Sequence, residues 1–155
     1  MIFGQHHCLM DEKGRVAFPA ALRPALVSST AGADDEVTRF VLTQSLYEPC
    51  LVGMTEADFK ALADKIKALP PSTPAVSMFK RFVIAPATVA TIDKAGRVNV
   101  PKEQREYAGL ERDCVWLGVV DKIELWSRAK YDELRQKQSA TDLEAARAFL
   151  AEHGL

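Results

Sequence analysis

The chain has 155 residues, of which 48% are hydrophobic and 26% are charged, with eight glycines and eight prolines. This composition predicts a soluble globular protein and excludes the disordered and collagen-like classes. Twenty lysines and arginines stand against 21 aspartates and glutamates, and the net charge of −1 excludes a protein that is basic over its whole surface, although it is compatible with a local basic face.

The sequence shows no feature of export or membrane insertion. No cluster of lysine or arginine followed by an apolar stretch lies near Met1, and the longest apolar run, Phe82–Ile92, is interrupted by a proline. The three cysteines are far apart and form no Cys-x-x-Cys pair, so we expect neither a disulfide scaffold nor a zinc site. We therefore expect a reduced protein of the cytoplasm. The cysteines are Cys8, Cys50 and Cys114.

An internal repeat organises the chain. The segment Asp11–Pro19 (DEKGRVAFP) returns 82 residues later as Asp93–Pro101 (DKAGRVNVP), with Asp, Gly, Arg, Val and Pro in register. Further on, Leu51–Thr55 resembles Ile123–Ser127 at an offset of 72. The difference between the offsets falls in the small, polar and acidic segment 28–37, which we interpret as a loop insertion in the first half.

The two halves predict the same order of elements. Each begins with an extended segment and a tight Asp-x-x-Gly turn, followed by a short strand that ends at proline, a short helix, two further strands and a closing helix. Arg23 and Arg105 occupy matching places in the short helices, and Gly109 is placed to cap the second of them. The predicted segments before the closing helices are 2–10, 15–18, 20–26, 38–43 and 51–54 in the first half and 87–92, 97–100, 102–108, 114–119 and 123–126 in the second.

Polar residues mark the helix starts. Thr55 and Asp58 form a capping-box pattern, and Ser127 can cap the equivalent helix in the second half. A stripe of Phe59, Leu62, Ile66 and Leu69 predicts the buried face of the first closing helix. Thr141 is predicted to cap a last amphipathic helix that runs through Phe149 and Leu150. We expect the division 1–69 for the first repeat, 70–83 for a Pro-rich linker and helix, 84–138 for the second repeat and 139–155 for the C-terminal helix.

The two Asp-x-x-Gly turns are the candidate functional elements. The aspartate can accept hydrogen bonds from amides two or three residues further on, and the glycine supplies the positive φ that a bulged hairpin requires. The next residue is an arginine, which the turn holds at a defined angle. The turn-forming residues are Asp11, Gly14, Asp93 and Gly96.

The cationic side chains at these hairpin tips are of the kinds that bind DNA. Arginine can bind guanine edges bidentately in the major groove, and lysine can hold phosphates. The alternative is that each aspartate–arginine pair is a salt bridge that only fixes its hairpin. The candidate DNA-binding residues are Lys13, Arg15, Lys94 and Arg97.

The two Asp-x-x-x-Arg motifs, with the segments Lys80–Phe82, Arg105–Leu110 and Gly118–Ser127, resemble the MraZ family of bacterial transcriptional regulators. The resemblance implies an α+β fold of two AbrB-like swapped-hairpin β units with short helices, which form an intramolecular pseudo-dimer. It also implies a ring-shaped homo-oligomer that binds short direct repeats upstream of the division and cell-wall gene cluster, usually as a repressor. In that family the motif arginines contact DNA, which corresponds to Arg15 and Arg97.

The expected partners are therefore double-stranded DNA and further copies of the chain, with no cofactor, metal, membrane or small-molecule substrate, and the expected location is the nucleoid. The acidic residues 34–36 of the insertion would repel DNA if they stood on the binding face. From Lys80 to Arg105 six cations stand against two carboxylates, whereas Asp11 to Arg23 has three against two. We therefore expect the second hairpin to contribute more phosphate contacts.

The sequence offers four alternatives. His6 and Cys8 share a strand face and could form a nucleophile pair, but the sequence shows no third orienting group, and we expect no enzyme. His6, His7 and Cys8 lie on alternating faces, which makes a poor metal site. An AbrB-like antitoxin would carry one β unit and a flexible tail. A ring scaffold that does not bind DNA stays open as an alternative, and the double variant Arg15→Ala, Arg97→Ala distinguishes it from a regulator. We expect Trp116 and Trp126 to be core or interface anchors.

Overall fold

The computed structural model describes residues 1–26 and 38–155, so the predicted insertion at 28–37 lies outside the described residues. The strands of this part of the chain are β1 (Ile2–Leu9), β2 (Arg15–Ala17), β3 (Arg39–Gln44), β4 (Leu51–Met54), β5 (Thr88–Thr91), β6 (Arg97–Asn99), β7 (Asp113–Val120) and β8 (Ile123–Ser127). The helices are α1 (Glu56–Lys67), α2 (Pro74–Phe79), α3 (Lys102–Ala108), α4 (Arg128–Lys137) and α5 (Ala140–Glu152). A 3-10 helix covers Ala20–Leu26, and a π-helical turn covers Lys80–Ile84.

Six strands form one antiparallel sheet in the order β1-β7-β8-β4-β3-β5, and β2 pairs with β6 in a separate two-stranded ribbon. The halves of the chain are interleaved. Strand β1 of the first half pairs along its whole length with β7 of the second, and β5 of the second half pairs with β3 of the first. The predicted α+β class, with short helices around a mainly antiparallel sheet, is confirmed.

Two hydrophobic clusters cover the two faces of the six-stranded sheet. The larger cluster lies under the ribbon and contains Trp116, whose ring meets that of Phe18 edge-on at a centroid distance of 5.0 Å. The smaller cluster surrounds Trp126 and is covered by α1 and α4. Strand β7 supplies both clusters, because alternate residues of a strand face opposite sides of the sheet. This position between two cores explains the continuous run of buried residues from Cys114 to Leu117.

The predicted starts of two helices are confirmed. The hydroxyl of Thr55 accepts a hydrogen bond from the Asp58 amide at 3.0 Å, and Ser127 caps α4 in the same way. Gly109 ends α3 with φ of 60°, in the left-handed conformation that a C-terminal cap requires. Helix α1 ends at Lys67, however, so Leu69 lies beyond the helix instead of on its buried face and is 49% exposed.

The start of the last helix was predicted wrongly. Ser139, not Thr141, caps α5: its hydroxyl accepts from the Asp142 amide at 3.1 Å, and the Asp142 carboxylate accepts from the Ser139 amide at 3.3 Å. This reciprocal capping box satisfies two backbone donors and places Thr141 inside the helix. No residue of α5 is buried. Among the helices described, none is both long and apolar enough to span a membrane.

Candidate nucleic-acid interface

The ribbon brings the two motif arginines to one surface. Because residues that pair directly across antiparallel strands point to the same side, Arg15 and Arg97 share the outer face, where they are diagonal neighbours. Val16 and Val98 point inward and are completely buried. Two arginines that are 82 residues apart in the sequence thus meet on a single face. The paired residues are Arg15 with Asn99, Val16 with Val98 and Ala17 with Arg97.

The first turn is organised by the Asp11 carboxylate. Its Oδ1 atom accepts hydrogen bonds from the amides of Lys13 and Arg15, both at 2.9 Å. Its Oδ2 atom lies 2.6 Å from Nε of Arg15. Gly14 has φ of 81°, and its amide donates to the Asp11 carbonyl at 3.1 Å. The backbone and the arginine side chain are therefore held by one carboxylate.

The second turn repeats this geometry with a looser arginine. The Oδ1 atom of Asp93 accepts from the amides of Ala95 and Arg97, both at 2.9 Å, and Gly96 has φ of 74°. Nε of Arg97 lies 3.5 Å from Oδ2 of Asp93, within ion-pair range but without a hydrogen bond in the described residues. We therefore expect the Arg97 side chain to reorient towards a ligand more easily than that of Arg15.

Each turn is fastened to the strand of the other half. The amide of Phe18 donates to the carbonyl of Gly96 at 2.8 Å, and the amide of Val100 donates to the carbonyl of Gly14 at 2.9 Å. These two bonds extend the ribbon into both turns. Both tips are therefore hydrogen-bonded to the ribbon.

The charge state of the turns follows from their hydrogen bonds. The backbone amide of Arg15, followed by the Arg15 side chain and the Lys13 amide, lowers the pKa of Asp11. The amide of Arg97 is likewise the largest cause of the lowered pKa of Asp93. Both carboxylates are therefore charged at neutral pH. Because the close contact of Asp11 is made with Nε of Arg15, the Nη edge of the guanidinium is left for a ligand.

The arginines are accessible as well as fixed. The side chains of Arg15 and Arg97 are 36% and 39% exposed, and Lys13 and Lys94 lie exposed on the two turns. An aspartate–arginine pair in this position does not exclude a role in binding, because the ion pair sets the angle at which the outer guanidinium edge is presented. The same contacts support both interpretations made from the sequence.

A cleft of about 690 Å³ opens beside the first turn. Besides Arg15 and Arg97, it is lined by Arg105 of α3 and by Arg112 in the segment before β7. The sequence interpretation had not placed Arg105 or Arg112 at the site. The repeat gave a signal for Arg105, which matches Arg23, but none for Arg112.

The cysteine and histidine residues of β1 do not have the properties of a nucleophile pair. Cys8 lies opposite Cys114 on β7, and burial raises the pKa of the Cys8 thiol to about 12 and that of Cys114 to about 11. A catalytic cysteine needs a lowered pKa, because the thiolate is the nucleophile. In residues 1–26 and 38–155 no three histidine, cysteine or carboxylate side chains are grouped so as to hold a metal ion.

The family model described as "MraZ protein, putative antitoxin-like" matches the chain twice, over residues 1–82 and 83–152. A relative from Heliobacterium modesticaldum is 33% identical over 150 residues, which cover 97% of either chain. One from Desulfitobacterium hafniense is 36% identical over 141 residues, 90% of this chain and 91% of its own. Another, from Clostridium beijerinckii, is 33% identical over 136 residues, 88% of either chain. All three are named "Transcriptional regulator MraZ". With two matches of the family model and relatives of this identity and coverage, the chain belongs to the MraZ family.

Proposed function

We propose that the chain is a transcriptional regulator that binds double-stranded DNA through the outer face of the ribbon β2–β6. The observation that carries this proposal is the presence of Arg15 and Arg97 on one exposed face of a two-stranded ribbon. The major groove admits a β-ribbon of this kind, and arginine is the commonest reader of guanine. The names of the relatives support regulation of transcription.

The residues of the two turns have different roles in the proposed DNA binding. Arg15 and Arg97 contact base edges, while Lys13 and Lys94 hold phosphates on either side. The carboxylates of Asp11 and Asp93 fix the arginine backbones, and Gly14 and Gly96 allow the turns to close. The list of proposed contact residues is Lys13, Arg15, Lys94 and Arg97.

The chain also acts, in this proposal, as an intramolecular pseudo-dimer of swapped-hairpin AbrB-like units. Support comes from the exchange of strands, since each half donates its first strand to the other half's side of the sheet. The proposed units are 1–69 and 84–138, joined by 70–83 and followed by the helical segment 139–155. A helical C-terminus favours this assignment over the AbrB-like antitoxin, for which a flexible tail was expected.

A ring of several copies, bound to direct repeats in DNA, would make a weak contact effective. One ribbon presents only two arginines to the bases, and binding dominated by a few phosphates has a Kd of about 10⁻⁴ to 10⁻⁶ M. Several ribbons at fixed spacing act at a high effective concentration, so the number and spacing of DNA repeats control affinity. The proposed target is the division and cell-wall gene cluster, which the protein represses at the nucleoid in the cytoplasm.

The test is a gel-shift titration with duplex DNA from upstream of the protein's own gene. The double variant Arg15→Ala, Arg97→Ala is expected to lose about 1–3 kcal/mol of binding free energy per arginine, since each removes one bidentate base contact. The matched control is Arg128→Ala, which removes an arginine from α4 on the opposite side of the sheet. Unchanged binding by the double variant, with its oligomer size intact, contradicts the proposal and favours a scaffold that does not bind DNA.

A further inference from the structure

The cleft beside the first turn collects positive charge from both halves of the chain. It lies between the outer face of the ribbon and the segment 110–112 that follows α3. Glu12 and Glu111 also line it, so the cleft has only a small excess of positive charge, which suits one phosphate group at a time. The charge of Asp11 is directed to Arg15. The arginines lining the cleft are Arg15, Arg97, Arg105 and Arg112.

Arg105 is held in place against the first turn. A Cβ atom built on Gly14 would lie 2.7 Å from Nε and 2.8 Å from Cζ of Arg105, so the guanidinium rests directly on this glycine. Within the described residues, Nε of Arg105 is buried and has no hydrogen-bond partner. A buried donor without a partner is unfavourable. Because Nε is enclosed against Gly14, an anion in the cleft would bind the outer Nη groups of the guanidinium.

The internal repeat provides a contrast to Arg105. Arg23 occupies the matching position of the first half, and its Nε donates a hydrogen bond to Oγ1 of Thr38 at 3.2 Å. Two arginines of the same origin therefore have different surroundings: Arg23 is bound to the protein itself, and Arg105 lines the cleft. Arg23 thus has a structural partner, whereas Arg105 is available to a ligand.

Arg112 is fixed beside Arg105 by the backbone. Its carbonyl accepts a hydrogen bond from the amide of Met10 at 2.8 Å, which continues the pairing of β1 with β7 up to the first turn. The side chain of Arg112 is exposed. The cleft thus has one half-buried arginine at its wall and one exposed arginine at its edge.

We propose that this cleft binds a phosphate group through Arg105 and Arg112, and that the phosphate belongs to the DNA backbone next to the first turn. The guanidinium fork matches the geometry of phosphate oxygens. The inference rests on the proposed function and names two contact residues beyond the turns. It also reduces the difference in positive charge between the two hairpins. Both residues come from the second half of the chain, but they add cations beside the first turn, which has the smaller positive charge.

The experiment measures the salt dependence of binding to the upstream duplex for Arg105→Gln and Arg112→Gln. Each lost phosphate contact is expected to reduce the slope of log K against log salt by about 0.9. Between 50 and 200 mM salt, the fold-loss of affinity of the variant should therefore be about three times smaller than that of the unsubstituted chain. Discrimination between the upstream duplex and a scrambled duplex is expected to stay unchanged, because phosphate contacts carry no base information. Arg105→Lys retains the charge and is expected to retain the slope.

Arg23→Gln is the matched control, since it removes the same charge from the equivalent helix position. Its slope is expected to equal that of the unsubstituted chain. If Arg105→Gln lowers only the Tm and leaves the slope unchanged, Arg105 merely supports Gly14, and the inference is wrong. If the unsubstituted chain does not bind the duplex, or the Arg15→Ala, Arg97→Ala variant binds it normally, the proposed function fails instead.

Calorimetric titration with inorganic triphosphate separates DNA from a free ligand. Micromolar binding that Arg105→Gln abolishes, together with an unchanged DNA slope, assigns the cleft to a soluble polyphosphate and overturns its assignment to DNA. Weak or undetectable triphosphate binding together with the reduced DNA slope supports the DNA phosphate.

Discussion

The aspartate of each turn makes more hydrogen bonds to the backbone than to the arginine beside it. Asp11 accepts from two amides through Oδ1 and meets the arginine through Oδ2, and Asp93 has the same arrangement with a longer arginine contact. The first role of the carboxylate is thus to fix the chain direction at the hairpin tip. The angle of the arginine follows from that direction, so loss of the carboxylate charge affects both.

We expect the turns to loosen in acid. The folded pKa of both aspartates lies below the ordinary value of about 3.9, so the stability that comes from their charged form is present above about pH 4 and is lost as the pH falls through the folded pKa. The Tm of the unsubstituted chain should therefore fall more steeply below pH 4 than that of the double variant Asp11→Asn, Asp93→Asn.

Thermal unfolding followed by circular dichroism from pH 7 to pH 3 measures this difference. The matched control is Asp121→Asn with Asp132→Asn, which removes two exposed carboxylates outside the turns. Parallel Tm curves for the turn variant and the unsubstituted chain would contradict the assigned role of the aspartates.

At the scale of elements, the glycines of the two turns have similar φ angles but different surroundings. Gly14 and Gly96 both have positive φ, yet a Cβ atom on Gly14 would lie 2.9 Å from the carbonyl oxygen of Val100, whereas one on Gly96 meets no atom of the described residues within 4 Å. The first turn is packed against α3 and the neighbouring strand. The second turn is open, which agrees with the looser contact of its arginine.

Alanine at the two glycines should therefore have unequal effects. Gly96→Ala is expected to cost about 1–2 kcal/mol of unfolding free energy, because a side chain with positive φ is strained. Gly14→Ala is expected to cost about 1–3 kcal/mol more, because the added methyl group also meets a backbone oxygen that cannot move away freely. Urea unfolding of both variants measures the difference, and equal losses would show that the packing around Gly14 adapts.

The turns could be predicted from the sequence because their geometry depends on residues within five positions of one another. The pairing of β2 with β6 could not, since the repeat shows that two such strands exist but not that they lie side by side. Arg105 and Arg112 were missed at the site for a related reason. Their place in the cleft depends on how α3 and the segment after it pack against Gly14, a contact between distant parts of the chain.

The same distinction applies to the helix ends. Thr55 and Gly109 were predicted correctly because each cap is a local pattern with a single candidate. At the last helix Ser139 and Thr141 were both possible caps, and the choice was decided by the reciprocal bonds between Ser139 and Asp142. Leu69 followed the helical spacing of its predecessors, but the helix had already ended before the proline-rich linker.

At the scale of the whole molecule, the net charge of −1 limits what one chain can do with DNA. Binding without sequence preference depends on the number of phosphates neutralised, and in a near-neutral chain the lysines and arginines outside the ribbon and its cleft are offset by carboxylates. In the proposed mode of binding, several ribbons must engage together for the affinity to become useful, so we expect selectivity for repeated sites. We therefore expect the arrangement of cations on one face, rather than their total, to determine binding.

The interleaved sheet also means that neither half can complete its strand pairing alone. Without residues 83–155 the first half lacks β7, the partner of β1, and without residues 1–82 the second half lacks β3, the partner of β5. An isolated half can pair these strands only with another chain. We therefore expect each half, expressed separately, to show sheet structure that depends on its concentration.

Circular dichroism of residues 1–82 and of residues 83–155 over a hundredfold dilution tests this expectation. Each half should lose its sheet signal and its cooperative unfolding transition on dilution, because dissociation exposes the edge of β3 or β7 and the core beneath it. The full chain is the control and should keep its signal over the same range, since its exchanged strands are covalently joined. An equimolar mixture of the halves should recover a cooperative transition at concentrations where each alone is unfolded. A dilute half that unfolds cooperatively as a monomer would show that it folds without exchanging strands, and would remove the main support for the pseudo-dimer.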